Sequence, residues 1–546
     1  MNRKGLSIHK RILSLLILSL LIIQIFTFIQ PANAATLTLK WVKTVGPKAR
    51  TYIGPLAADV NNDGKLEIVT TGGTSDGGTD GNVTVLDGAT GNIIWSVTPG
   101  GIGMHSPFEI ADINNDGQLE IVVSGNSPVV LFGKNGSTYW RNTAVSSYNL
   151  YSPVYDIDGD GYSEIFVASG NGPLYGSDNI TLLSYDGKIL ARNPTSWHPC
   201  WGGMVIGDPN SNGTFILYQG DRSINYNPSD DPYKYGGWGI RAFDAQTLTP
   251  LWNDSSVLCS SHTPMLADVD KDGKLDVVVA DQNGGLAVFN ATNGNVLTTG
   301  GVYRKNSNLG DPAHSQPTIY DVDGDGNLEI ITCRSSNVTI WDLYTWKRDA
   351  VLPLVEWEPP MVGDINGDGK MDIIGVNGSH IIVYDLFANG TYSLIDQIGG
   401  LNSASAHTLL ADVDNDGLNE LILTSCAADT GRVYCYDTQS PVSNPKPRQG
   451  LQYYSERHNG AAEYVPPLGP LAPLASEPSP ADGSVNVTKT LSQLSFKLRD
   501  YQRDLMNYTV TTFPNIGSGN GVNVSNGKYS ISVSGLAYGT TDAWRV

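Results

Sequence analysis

One acidic phrase of nine residues recurs along the chain and constrains it more than any other feature. It reads D-x-[DN]-x-D-G-x-x-[DE] at Asp59–Glu67, Asp112–Glu120, Asp156–Glu164, Asp268–Asp276, Asp321–Glu329, Asp364–Asp372 and Asp412–Glu420. An eighth copy, Asp208–Ile216, is worn: it keeps Asp208, Asn210, Asn212 and Gly213 but ends on Ile216 where the others carry an acid. A hard cation takes six to eight oxygens at about 2.3–2.6 Å, and a curled loop aims side chains 1, 3, 5 and 9 and the carbonyl of residue 7 at one point. Glycine at position 6 lets the backbone reverse without a Cβ penalty. One such phrase is compatible with an acidic hairpin turn, whereas seven intact copies point to repeated cation loops. Calcium suits them better than magnesium, because they offer many carboxylate oxygens on a flexible backbone.

Taken in order of position, the expected ligands are Asp59, Asn61, Asp63, Lys65 and Glu67; Asp112, Asn114, Asp116, Gln118 and Glu120; and Asp156, Asp158, Asp160, Tyr162 and Glu164. The later loops supply Asp268, Asp270, Asp272, Lys274 and Asp276; Asp321, Asp323, Asp325, Asn327 and Glu329; Asp364, Asn366, Asp368, Lys370 and Asp372; and Asp412, Asp414, Asp416, Leu418 and Glu420. The seventh residue of each set acts through its backbone carbonyl. About seven Ca²⁺ ions are expected, and seven would bring the formal charge from −20 to −6.

β-Branched residues follow each loop at once, as in Glu67-Ile-Val-Thr and Asp276-Val-Val-Val, which is a strand signature and not the second helix of an EF-hand. The loops start 53, 44, 52, 60, 53, 43 and 48 residues apart. A period near 50 with four short β segments per unit is the arithmetic of propeller blades. The second unit shows the plan: Ser106-Pro-Phe-Glu-Ile-Ala, then the loop, Leu119-Glu-Ile-Val-Val, Val129–Phe132 and Thr138-Tyr-Trp140. Third-strand echoes recur at Val83–Asp87, Ile240–Asp244, Leu286–Asn290, Ile340–Asp342, Ile382–Asp385 and Val433–Asp437. Several run into a glycine-bearing turn such as Ala89-Thr-Gly91. Thr36–Trp41 reads as an outer fourth strand with no unit before it, fit to complete the last blade. The fold predicted is all-β, an eight-bladed propeller, with seven blades plus an irregular unit as the alternative.

These units resemble the FG-GAP or VCBS repeats of the integrin-alpha type over residues 36–462. The resemblance implies that the calcium loop joins the first and second strands of each blade. Gln449–Gly460 is similar to the terminal Trp-containing phrase of secreted repeat proteins of this kind, with Leu451 or Tyr453 where Trp is expected.

The rest of the chain frames this body. Arg3, Lys4, Lys10 and Arg11, the apolar run Ile12–Ile29 and Ala32-Asn-Ala34 make residues 1–34 a signal peptide, with an uncleaved anchor as the alternative. No other stretch is long and apolar enough to span a membrane. Export to the cell surface or medium suits a calcium protein, and twelve N-x-[ST] sequons, from Asn82 to Asn523, are available for sugar. A net charge of −20 with 34 Lys plus Arg excludes a nucleic-acid partner. The propeller is assigned to 35–462, a Pro/Ala/Ser-rich linker to 463–482, and a partial immunoglobulin-like or fibronectin-like sandwich to 483–546, where Leu491–Leu498, Asn507–Thr512 and Lys528–Val533 alternate at period two. Of the five cysteines none forms C-x-x-C, while Cys426 and Cys435 flank a turn and are candidates to bridge neighbouring strands.

Two groups are candidate ligand contacts. His105, His262, His314 and His407 precede their calcium Asp by 7, 6, 7 and 5 residues, and His198 precedes Asp208 by 10. They read as an imidazole ring at a channel mouth, or as side chains that each fix a local turn. Around the worn unit Trp197, Trp201, Tyr233, Tyr235 and Trp238 form an aromatic-rich insertion, suited to a sugar or protein surface or to packing beneath a loop.

Enzyme signatures are poor. There is no G-x-S-x-G, H-E-x-x-H or phosphate loop. Quinoprotein dehydrogenases share the eight-blade plan, but the adjacent Cys-Cys pair is missing. Calcium-dependent polysaccharide lyases use a related propeller, yet no cluster of Lys or Arg assembles over a loop. The function expected is adhesion or recognition of an extracellular glycan or surface protein; the alternatives are a calcium-dependent lyase or glycoside hydrolase, or a structural surface-layer component.

Overall fold

A computed structural model of the chain describes residues 37–47, 54–73, 80–103, 106–145, 152–169, 179–194, 203–221, 239–254, 264–280, 286–299, 302–303, 305–306, 318–334, 337–354, 360–401, 408–427, 430–441, 474–481, 484–499, 505–525 and 527–546. Among them are eight four-stranded antiparallel sheets, and in each the acidic loop joins the first strand to the second. The first sheet runs Leu56–Ala58, Glu67–Gly72, Asn82–Asp87, Ile93–Val97. After it come the second (Phe108–Ala111 to Thr138–Arg141), third (Val154–Tyr155 to Ile189–Pro194) and fourth (Met204–Gly207 to Pro250–Asp254). The fifth runs from Met265–Ala267 to Lys305–Asn306, the sixth from Thr318–Tyr320 to Lys347–Leu352, and the seventh from Met361–Gly363 to Tyr392–Gly399. The fifth unit adds a short pair, Thr298–Thr299 with Val302–Tyr303.

The eighth sheet joins distant parts of the chain. Thr408–Ala411, Leu418–Ala427 and Thr430–Pro441 are completed by Thr38–Pro47, which lies antiparallel to the third of them with Trp41 opposite Cys435 and Val42 opposite Tyr434. The sequence expectation of an N-terminal outer strand is met, with the strand at Thr38–Pro47 where Thr36–Trp41 was expected.

Burial explains the β-branched runs. Second strands such as Glu120–Val123 are buried along their whole length, because both faces of each sheet are covered. Apolar clusters form between successive sheets: Val69 and Val85 of the first pack with Ile121 and Leu131 of the second. Leu409, Ile422 and Val433 of the eighth pack with Ile68 and Leu86 of the first.

Two devices recur on the fourth strand. One is a tryptophan that reaches into the next sheet. Trp95 Nε1 donates to the Gly133 carbonyl at 2.9 Å, Trp140 to Tyr185 at 2.6 Å, Trp252 to Ala291 at 2.9 Å, and Trp41, on the N-terminal strand, to Gly88 of the first sheet at 3.1 Å. Each indole lies on a turn glycine with positive φ: a Cβ on Gly136 would fall 2.6 Å from the Trp95 ring. The other device is a bulge, one extra residue against the third strand. It falls at Ile94, Tyr139, Leu190, Leu251, Asp349, Ile395 and, in the eighth sheet, Lys40.

Beyond residue 473 two three-stranded sheets enclose a separate core of Leu494, Phe496, Leu498, Met506, Val510, Ile531 and Val533. Leu474–Ser479, assigned by composition to the linker, is a strand paired with Gln493–Arg499. Its proline, Pro478, and its serines sit on an edge strand, where a missing N–H is tolerated. Cys435 is a free, buried thiol. It lies opposite Ile422, whereas Cys426 lies opposite Gly431, so the register separates the two cysteines expected to bridge. Among the described residues no helix is long and apolar enough to cross a membrane.

Candidate metal centres

Each loop curls around its first carboxylate. Asp59 Oδ2 accepts the Gly64 N–H at 2.8 Å, and the same bond recurs from Gly117 to Asp112, Gly161 to Asp156, Gly273 to Asp268, Gly326 to Asp321, Gly369 to Asp364 and Gly417 to Asp412. The fifth residue accepts from the seventh: Lys65 N–H reaches Asp63 at 2.9 Å, and Gln118, Tyr162, Lys274, Asn327, Lys370 and Leu418 donate alike. These seventh side chains are exposed, save the half-buried Asn327, which fits a role through the backbone alone. Position 6 is glycine with φ between 83° and 93° in all eight copies.

Position 4 is also left-handed, at Asn62, Asn115, Gly159, Ser211, Lys271, Gly324, Gly367 and Asn415. Sequence reasoning passed over it, although four of the eight are Asn or Ser and three are Gly, and Asn and Gly are the residues that tolerate this region.

The ninth residue closes the loop from below. One of its oxygens accepts the N–H of the second residue, as in Val60 to Glu67 at 3.0 Å, Ile113 to Glu120 at 3.1 Å, Val322 to Glu329 at 2.8 Å and Ile365 to Asp372 at 2.7 Å. In three loops the other is stranded. Glu120 Oε1, Glu329 Oε1 and Asp372 Oδ1 are buried without a partner, as is Asn61 Oδ1 at position 3 of the first loop. A buried unpaired carboxylate oxygen is costly, and an oxygen-seeking cation at the loop centre would satisfy all of these.

Electrostatics agree. Burial, helped by Asp116 and Asp112, raises the Glu120 carboxyl to about 7. Burial, with Asp323, Asp321 and Asp325 nearby, raises Glu329 to about 9. Burial and Asp63 take Glu67 to about 7, and burial and Asp270 take Asp276 to about 8. Asp372 is raised by burial and by Asp385, which faces it across the strand pair.

In four loops, three carboxylates each bring an oxygen within 4.8 Å of the others: Asp156, Asp158 and Glu164; Asp268, Asp270 and Asp276; Asp321, Asp323 and Asp325; Asp412, Asp414 and Glu420. In the loops at 59, 112 and 364 position 3 is Asn61, Asn114 or Asn366, so an amide oxygen replaces a carboxylate there.

The third strand contributes acids that the sequence reading left unassigned. Asp87, Asp342, Asp385 and Asp437 stand opposite Glu67, Glu329, Asp372 and Glu420. Asp87 Oδ1 holds the following turn through Thr90, and Asp342 Oδ1 through Tyr344 and Thr345. Asp342 also gathers with Asp325 and Glu329. The signal was visible in the repeated Asp that ends the third strand, but its cross-strand partner was not.

The worn copy keeps the curl without the closing acid. Gly213 N–H donates to Asp208 and Thr214 N–H to Asn212, while Ile216 takes the ninth position in the core. The proposed ligand contacts His105, His198, His262, His314 and His407, and Trp197, Trp201, Tyr233, Tyr235 and Trp238, lie outside the described residues.

An FG-GAP-like repeat model matches residues 59–123, 268–332 and 364–423, each spanning an acidic loop and the strands beyond it. No curated protein matches the chain. Among solved structures it is similar to the quinohemoprotein alcohol dehydrogenase from Comamonas testosteroni (14% identity, 77% of this chain, 79% of that one, TM-score 0.53). It is also similar to the exotype rhamnogalacturonan lyase YesX (13%, 78% and 81%, 0.52) and a europium-containing methanol dehydrogenase (13%, 74% and 94%, 0.51). At these identities the likeness is one of fold. The chain is thus a repeat-built, all-β protein bearing acidic loops able to hold metal ions.

Proposed function

We propose that this is an exported, calcium-stabilised binding protein of the adhesion type, whose partner is an extracellular glycan or surface protein. Its eight sheets would close into one eight-bladed propeller, with Thr38–Pro47 as the outer strand of the last blade. The apolar cluster between eighth and first sheets and the Trp41 bond to Gly88 support that closure. Residues 1–34 would direct export, and the segment from 474 onward would form an immunoglobulin-like or fibronectin-like module. Binding would use the side opposite the loops, with the aromatic residues between Trp197 and Trp238 as its first candidates.

The observation that carries the calcium reading is the stranded oxygen on Glu120, Glu329 and Asp372. Each is buried without a donor and belongs to the residue that ends a loop of oxygen ligands, where a hard cation would supply what no donor does. The test is metal content of the purified protein, followed by melting with and without chelator. Bound calcium and a chelator-induced fall of many degrees are expected. A metal-free protein whose melting ignores chelator would end this reading. A glycan array then tests binding, and a polysaccharide panel read for unsaturated uronate absorbance separates a binder from a lyase.

A further inference from the structure

The loop at Asp412–Glu420 departs from its siblings, because a lysine ammonium already stands among its ligand oxygens. Lys40 Nζ is 3.1 Å from Glu420 Oε1 and 2.8 Å from Asp437 Oδ1, and it also donates to Asp414 Oδ2. Asp414 and Glu420 are the third and ninth residues of the loop, two of the three carboxylates that converge there. An ammonium has three donors, and all three are used. The Lys40 side chain is 19% exposed, Asp414 20% and Glu420 1%, so these two contacts are largely removed from water, while Asp437, at 46%, meets Lys40 at the surface.

Lys40 reaches this place through local geometry. It is the extra residue of the fourth-strand bulge, between Leu39 opposite Tyr436 and Trp41 opposite Cys435. The same bulge holds Ile94, Tyr139, Leu190, Leu251 and Ile395 in other sheets, none of which carries charge. In the sixth sheet the position is Asp349, an anion. In the eighth sheet the bulge residue reaches the loop of its own sheet, and among the described bulges it alone is a cation.

We propose that the loop at 412–420 holds no calcium: Lys40 supplies its positive charge, so the strand that completes the eighth sheet brings the counter-ion with it. A calcium ion bound to Asp414 and Glu420 at about 2.3–2.6 Å would sit beside the ammonium, with two like charges competing for the same oxygens. The calcium count expected from seven intact loops falls to six, and the eighth sheet keeps its loop folded when calcium is withdrawn. This inference rests on the calcium reading of the other loops.

The experiment counts calcium per chain by equilibrium dialysis and atomic emission in four full-length proteins. Lys40→Ala should bind one ion more than the unmodified chain. Asp412→Asn, in the otherwise unmodified chain, should leave the count unchanged, whereas Asp321→Asn should lower it by one. An unchanged count in Lys40→Ala, or one ion lost in Asp412→Asn, overturns the proposal; the second comparison stands even if Lys40→Ala does not fold. A chain that binds no calcium, with Asp321→Asn indistinguishable from it, overturns the calcium reading itself and this inference with it.

Discussion

Glu329 states the problem that three of the loops must solve. One oxygen is held by Val322, the other is buried and bare, and three aspartates crowd it. Without a cation, a proton is the remaining remedy, and this sets the sign of the pH dependence. An unfolded glutamate titrates near 4.3, whereas folded Glu120 and Glu67 titrate at about 7 and Glu329 at about 9. The folded state therefore holds protons that the unfolded state has released. Their stabilisation is complete below about pH 4 and is lost as pH rises through 7 and then 9. In chelator, the melting temperature should fall steadily from pH 5 to pH 9; a rise would contradict the assignment. With calcium bound the ions take the protons' place, and binding should release protons into weakly buffered solution.

Glu329→Gln separates these two remedies. The amide mimics the protonated acid and keeps an oxygen for the Val322 N–H, so melting in chelator should fall much less than for Glu329→Ala, which leaves that buried N–H without a partner. Calcium should bind that loop at least about tenfold more weakly, about 1.4 kcal/mol, measured as a smaller calcium-induced rise in melting temperature. The curl of the loops was legible from spacing because its hydrogen bonds are local, within nine residues. Lys40 and the third-strand acids were not, because their partners are set by strand register across tens or hundreds of residues.

At the scale of elements, the indole laid on a turn glycine is the joint between one sheet and the next. Gly136 has φ of 69° and faces the Trp95 ring, so Gly136→Ala adds a backbone penalty of about 1–2 kcal/mol and displaces the ring. Trp95→Ala should cost about 3 kcal/mol by emptying the same joint. The two losses should fall well short of additive in the double variant, since both act on one contact; thermal melts of the two single variants and the double check this. Four strands per unit were readable from β-branched runs and turn signals. The joint was not, since Trp95 and Gly136 belong to different units and nothing local pairs them. The fourth-strand bulge was equally hidden, because one extra residue leaves the apolar pattern of so short a strand intact. The linker assignment failed at Leu474–Ser479 for a related reason: composition reports flexibility, whereas pairing with Gln493–Arg499 decides it.

For the molecule as a whole, the eighth sheet is the place where distant chain segments meet. Removing residues 37–47 would leave Thr430–Pro441 as an exposed edge, lacking the partner that now covers Val433 and Tyr434. Hydrogen exchange should then show lost protection across 430–441 and little change across Asn337–Asp342 in the sixth sheet. Equal protection in both would mean that the first strand is dispensable. Lys40 and Asp414 are 374 residues apart. Closing so long a loop is entropically slow to find though only modestly dearer with each doubling, about 0.6 kcal/mol, and folds dominated by remote pairings are late to mature. The segment that leaves the ribosome early therefore waits, with its backbone groups unmatched, for a partner translated hundreds of residues afterwards. The eighth sheet can therefore be completed only once its last-made strand, Thr430–Pro441, has been synthesised.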